Sequence, residues 1–218
     1  MNKKNTNIIT IILLVLTLIG IIVSYGTLPE IIPTHWGFDG EIDKMGSKST
    51  LWLIYGTMIA INVLFIVIAN IDPKKHNYKI FEKSYSMFRI IFNVFFIGIL
   101  VLMILAAKGN TTFNTTRSVM FLTGLLLAII GNYLPKFKPN YTTGIKTPWT
   151  LANENVWKKT HRMAGPIWVI GGIISAISAL IVNINLTIIV FIIIIVILVI
   201  IPTVYSYLAF KKEQKNNE

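Results

Sequence analysis

Three histidines, nine carboxylates and no cysteine are what this 218-residue chain offers to acid–base or metal chemistry. His35 lies near Asp39, Glu41 and Asp43, and imidazole with carboxylates is an ordinary donor set for a divalent cation. The spacing follows no metal-binding loop, and an exposed polar turn is the favoured reading. Glu154 and His161 are seven residues apart, so a helix spanning both would carry them on one face, as a general acid–base pair requires. No nucleophile, electrophile or third partner accompanies them. His76 sits in the basic run Pro73-Lys74-Lys75-His76 and reads as solvated. HExxH, GxSxG and P-loop patterns do not occur. With no cysteine, thiolate ligands, disulfides and thiol nucleophiles are excluded. The reading is a non-enzyme with no catalytic residue, metal site or cofactor.

The elements that would position these side chains are set by a different solvent. Hydrophobic residues make up 54% of the chain and charged residues 13%, against about 25% charged in an average globular protein. Six stretches, at 8–25, 51–70, 90–107, 118–134, 166–182 and 186–208, contain no Asp, Glu, Lys, Arg or His. Each approaches the roughly 20 apolar residues that a spanning helix needs. Lipid leaves backbone groups no partner outside the segment, so Ile-rich runs become helices despite their β-branching. The fold class expected is all-α, a polytopic integral membrane protein with about six transmembrane helices. The first run, 18 residues ending in Ser24-Tyr25-Gly26-Thr27-Leu28-Pro29, is too long for a secretory signal core of about 7 to 15 residues, so it reads as an uncleaved helix.

Sixteen Lys and Arg fall at the N-terminus, in 71–89, in 135–165 and in the tail, against four in the alternate connections. By the positive-inside rule both termini are expected in the cytoplasm. The net charge of +11 then reflects membrane orientation and lipid contact, not nucleic acid binding. Within the spans, Asn62 and Asn93 are the most polar positions and suit an interhelical hydrogen bond. Gly171, Gly172, Ser175, Ala176, Ser178 and Ala179 give one helix small faces for close packing. With no ionisable group in any span, coupled transport is disfavoured. The tail around Lys211, Lys212 and Lys215 is expected to fray beside the headgroups, and Pro202 to kink the last helix.

Two connections are long. The inner one contains Pro139-Asn140-Tyr141-Thr142-Thr143-Gly144-Ile145-Lys146-Thr147-Pro148-Trp149-Thr150 and then Asn153-Glu154-Asn155-Val156-Trp157-Lys158-Lys159-Thr160-His161-Arg162. Thr150 or Asn153 can cap a short helix with Glu154 in its first turn. From there Val156, Trp157 and Thr160 share one side and Lys158, Lys159 and Arg162 the other, as in an amphipathic helix lying at the inner interface. The outer connection, 26–50, reads Leu28-Pro29-Glu30-Ile31-Ile32-Pro33-Thr34-His35-Trp36, then Gly40 and Asp43, and is expected to form a stiff aromatic turn.

These two motifs resemble the signature of the SdpI family of bacterial membrane proteins and the small DUF1648-type module that precedes it. The inner motif departs from the usual pattern at Lys146, where Arg is frequent, and at Ala164, where Gly is frequent. The resemblance implies immunity against a secreted, membrane-active, hydrophobic peptide toxin. The best-known member also acts as a receptor that holds a soluble transcriptional repressor at the membrane. Carried onto this chain, Asn140, Thr143, Gly144, Thr147, Trp149, Thr150, Trp157 and His161 would shape a docking surface for a cytoplasmic partner. Pro33, His35 and Trp36 would face the toxin. Three regions are expected: 1–70 with the outer loop, 71–117 with a basic inner connection, and 118–218 carrying the inner motif loop at 131–165. The rival readings are a membrane-embedded enzyme using Glu154, His161 or His35, and a small passive transporter.

Overall fold

The computed structural model describes residues 3–37, 39–109 and 114–216. In chain order the elements are α1 (Lys3–Tyr25), β1 (Ile31–Trp36), β2 (Ile42–Ser47), α2 (Thr50–Ile71), α3 (Lys75–Ile80) and α4 (Glu82–Ala107). There follow α5 (Thr115–Tyr133), a 3-10 turn (Leu134–Lys136), α6 (Pro148–Ala152), α7 (Glu154–Ile181) and α8 (Ile184–Lys215). Among the described residues, α1, α2, α4, α7, α8 and α5 with its following turn are long and apolar enough to cross a membrane. The bundle has one end rich in Lys, made by the start of α1, α3, the 137–147 loop, α6 and the last turns of α8. The opposite end carries a β-hairpin.

The helices outrun the apolar stretches at the basic end, and three expectations change as a result. Residues 154–165 are not a separate interfacial helix; they are the first turns of α7, which continues through Pro166 without a break. The two-sided pattern still holds, with Val156, Trp157, Thr160 and His161 buried and Lys158, Lys159 and Arg162 exposed. The tail does not fray from residue 211: α8 runs to Lys215, Lys159 pairs with Glu213, and the Lys211 ammonium lies over the Tyr207 ring. Finally, α4 begins at Glu82, which brings Arg89 inside the helix. Its Nε donates to Asn62 at 2.7 Å, and Asn62 and Asn93 exchange hydrogen bonds of 2.8 and 3.1 Å.

The tightest packing is between α5 and α7. Gly124 and Gly131 recur at a seven-residue spacing on α5, as Gly165 and Gly172 do on α7, so each pair lies along one helix face. A Cβ at Gly131 would sit 2.6 Å from the Val169 backbone nitrogen, so only hydrogen fits between the two backbones. Gly171, one residue along, faces Ile194 and Leu198 of α8 instead. The small residues of α7 therefore serve two neighbours. At its far end Arg117 donates to the Ala179 and Val182 carbonyls at 2.8 and 2.7 Å, satisfying orphan acceptors at the α7 C-terminus.

The outer connection is a two-stranded antiparallel hairpin, not a turn alone. Ile31 pairs with Ser47, Ile32 with Gly46 and Pro33 with Met45; the register then shifts, which fits a proline that cannot donate to the ladder. Ile32 is buried with Ile21, Leu28, Leu51, Met58, Leu100 and Met103 beneath the hairpin. A second cluster at the basic end is largely aromatic: Tyr78, Phe81, Tyr85, Phe88, Phe137 and Trp157 with Leu134 and Ala164.

Candidate functional site

The 137–150 loop is held by its own polar side chains. Asn140 is buried, and its Oδ1 accepts from the Thr142 and Thr143 amides at 2.9 and 2.6 Å and from the Thr143 hydroxyl at 3.1 Å. Its Nδ2 donates to the carbonyls of Lys138 and Thr143. This is a side chain mimicking backbone turns, the use for which Asn is suited. Gly144 has φ +110°, open to glycine at little cost, and a Cβ there would lie 2.5 Å from His161 Nε2. Ile145 N–H donates to His161 Nε2 at 2.9 Å, so Nδ1 must be the ring donor, to the Trp157 carbonyl at 2.9 Å. That pairing fixes a neutral tautomer and occupies both ring nitrogens. Trp157 is fully buried, stacks on His161 at 4.1 Å and donates Nε1–H to the Phe137 carbonyl at 3.0 Å.

The start of α6 is closed by a reciprocal cap. Thr147 Oγ1 accepts from the Thr150 amide, and Thr150 Oγ1 accepts from the Thr147 amide. Thr147 also meets Ser206 of α8 at 2.9 Å. Asn153 caps α7, accepting from the Asn155 and Val156 amides. Glu154 does not meet His161; it pairs with Lys74 at 3.3 Å on the exposed side.

Of the eight inner residues singled out from the sequence, Asn140, Thr147, Thr150, Trp157 and His161 are buried, while Thr143, Gly144 and Trp149 are partly exposed. Seven belong to the interior network that shapes the loop. Trp149 stands apart, its ring 5.1 Å from that of Tyr207. The loop's outward side chains are the exposed Tyr141, Lys146 and Pro148 with the partly exposed Trp149.

Sequence reasoning missed Asp72. This buried carboxylate, just past α2, accepts from the Lys74 amide at 2.8 Å, the Tyr78 hydroxyl at 2.9 Å, and the Tyr141 amide and Thr142 hydroxyl at 3.0 Å each. Asn77 adds a bond from its Nδ2 to the Pro139 carbonyl at 2.6 Å. Asp72 and Asn77 thus tie the α2–α3 corner to the loop. One signal was available: Asp72 is the sole acid between Asp43 and Glu82, in a run otherwise basic.

At the other end, His35 Nδ1 and Asp43 Oδ1 are 2.6 Å apart and both side chains are exposed. Pro33 is buried and Trp36 half-buried against the cluster under the hairpin. Among the described residues no group of three or more His, Cys, Asp or Glu side chains is arranged to hold a metal ion.

Residues 136–206 match the SdpI/YfhL protein family, and residues 12–59 match a domain of unknown function, DUF1648. The chain is 28% identical over 206 residues to the Immunity protein SdpI of Bacillus subtilis (strain 168), covering 94% of this chain and 96% of that protein. The chain is thus similar to an SdpI immunity protein along nearly its whole length, and to the SdpI/YfhL family over its C-terminal third. It is a multi-pass protein of the bacterial cell membrane. No solved structure matches it.

The Asp72 contacts join residues from outside both matched regions to a loop inside the SdpI/YfhL match. Burial opposes the charged form of Asp72, yet the amides of Lys74 and Tyr141 and the hydroxyls of Tyr78 and Thr142 together hold its carboxyl below the ordinary range. A lowered native pKa stabilises the fold above the unfolded value near 3.9, and that stabilisation is lost only as pH falls through the lower native value. Amide exchange across 139–143 is therefore expected to keep constant protection from pH 8 to about 5 after correction for intrinsic rates, and to lose it at more acid pH. Asp72→Asn should lose that protection at neutral pH, because an amide accepts fewer of the four donors, each bond to the charge being worth roughly 1.5–3 kcal/mol. Equal protection in the variant would remove Asp72 from the account.

Proposed function

We propose that this chain is a membrane immunity protein, protecting its cell against a secreted, hydrophobic, membrane-active peptide. The observation that carries the reading is similarity along nearly the whole chain to an immunity protein. The geometry of the two ends supports a division of labour. The hairpin end offers exposed Ile31, Ile42 and Met45 beside the His35–Asp43 pair, an apolar surface with a polar edge that suits a hydrophobic peptide. Pro33 and Trp36 act there from below, stiffening the hairpin against the bundle. The basic end offers Tyr141, Lys146, Pro148 and Trp149 on a loop whose conformation is already fixed, so a soluble partner would dock with little ordering cost. We assign this end to the cytoplasm from its excess of Lys and Arg. On this reading a transcriptional repressor is the docking partner, and the buried Asn140, Thr147, Thr150, Trp157 and His161 hold the platform in place of touching it.

Expression in a toxin-sensitive strain tests the first half: survival should rise by at least tenfold over the empty vector, and unchanged killing would refute immunity. The double change Tyr141→Ala and Trp149→Ala tests the second half. It should leave survival intact while abolishing membrane recruitment of a fluorescent repressor; recruitment that persists would exclude this surface.

A further inference from the structure

A cavity of about 350 Å³ opens at the basic end between α1, α2, α3 and α4, apart from the loop surface. Its size falls within the roughly 300–1,000 Å³ of small-molecule sites. Lys3, Lys75, Lys79 and Arg89 line it, with Glu82 the one carboxylate among the lining residues. Glu82 Oε1 accepts from the Lys3 backbone amide at 2.9 Å. Among the described residues none of the four cations has a carboxylate within ion-pair distance.

Arg89 is the decisive group. Its Nε donates to Asn62 and its Nη1 to Asn7, each at 2.7 Å, and Asn62 is itself fixed by Asn93. Three helices therefore orient one guanidinium with neutral amides, which set its direction without cancelling its charge, and these bonds leave Nη2 uncommitted. A guanidinium inside a helix long and apolar enough to span, with no counter-charge among the described residues, is costly, and such groups mark ligand sites more often than structure. A planar fork held in place suits a phosphate, with Lys75 and Lys79 adding charge at the mouth. Phe65, Ile66 and Tyr85 form an apolar wall, and Ile66 is 41% exposed.

We propose that this cavity binds a phosphate ester, with the phosphate at Arg89 and its organic portion along the Phe65–Tyr85 wall. A phospholipid headgroup and a soluble phosphate share this chemistry, and the test separates them. The full chain is purified in dodecyl maltoside, a detergent that carries no phosphate. One arm adds phosphatidylglycerol and measures lipid retained by native mass spectrometry; the other adds inorganic phosphate and follows ³¹P line broadening. Each arm is run on the wild type, on Lys75→Gln with Lys79→Gln at the cavity mouth, and on Lys211→Gln with Lys212→Gln, which removes equal charge from α8. The cavity variant should bind at least tenfold more weakly while the α8 variant matches the wild type. Such a loss for phosphatidylglycerol assigns a lipid; a loss for phosphate without lipid retention assigns a soluble ligand. Equal behaviour of the two variants, or no binding in either arm, overturns the site.

Discussion

Trp157→Ala is expected to lower the melting temperature of the detergent-solubilised protein by roughly 10 °C or more, corresponding to about 3–5 kcal/mol. The indole is fully buried, and it does three things at once. It fills the aromatic cluster that includes Phe137 and Tyr78, stacks on His161, and satisfies the Phe137 carbonyl. Truncation leaves a void, an orphan acceptor and a His161 ring without its platform. Because His161 holds the Ile145 amide, the loop surface should be lost along with stability. Trp157→Phe keeps most of the volume and orphans only the Phe137 carbonyl, so it should cost less, about 1–3 kcal/mol. If the alanine variant melts with the wild type, Trp157 is not the centre of the loop.

Gly172→Leu should be still more disruptive, with little folded protein recovered from the membrane. A side chain at Gly172 would run into the Ala128 amide and the Gly124 carbonyl, both backbone atoms of α5 that cannot rotate away. Overpacking of this kind costs typically 1–3 kcal/mol for small additions, and a whole isobutyl group forces the helices apart. Gly20→Ala is the matched control: nothing lies within 4 Å of a Cβ there, so it should be neutral or slightly stabilising. Fluorescence-detected size exclusion of both variants checks the contrast. A monodisperse peak of normal height for Gly172→Leu would show that the α5–α7 seam is not essential.

The six spans were legible because hydropathy acts over twenty residues and lipid enforces helix on whatever is apolar enough. Their ends were less legible. Hydropathy stops where charge begins, whereas hydrogen bonding continues, so α4 reached back past Arg89 to Glu82 and α7 back to Glu154. The hairpin was missed because Pro33 and Gly46 weaken its strand signal and its stability comes from Ile32 beneath it, a contact with no local trace. At the site, the loop residues stood out by type, yet Asn, Thr and His flanked by Pro and Gly are the residues that fold a loop onto itself. Their prominence marked an interior. Asp72 escaped notice since its partners Tyr141 and Thr142 lie some seventy positions along the chain.

Tyr78 belongs to two places at once: it lines the phosphate cavity, while its hydroxyl reaches Asp72 and, at 3.4 Å, Asn140. Thermodynamic linkage makes that shared residue reciprocal. Whatever factor an occupant of the cavity imposes on affinity at the loop, an occupant of the loop imposes the same factor on the cavity. The lipid composition of the cell would thereby enter the protein's response to its soluble partner as a second variable.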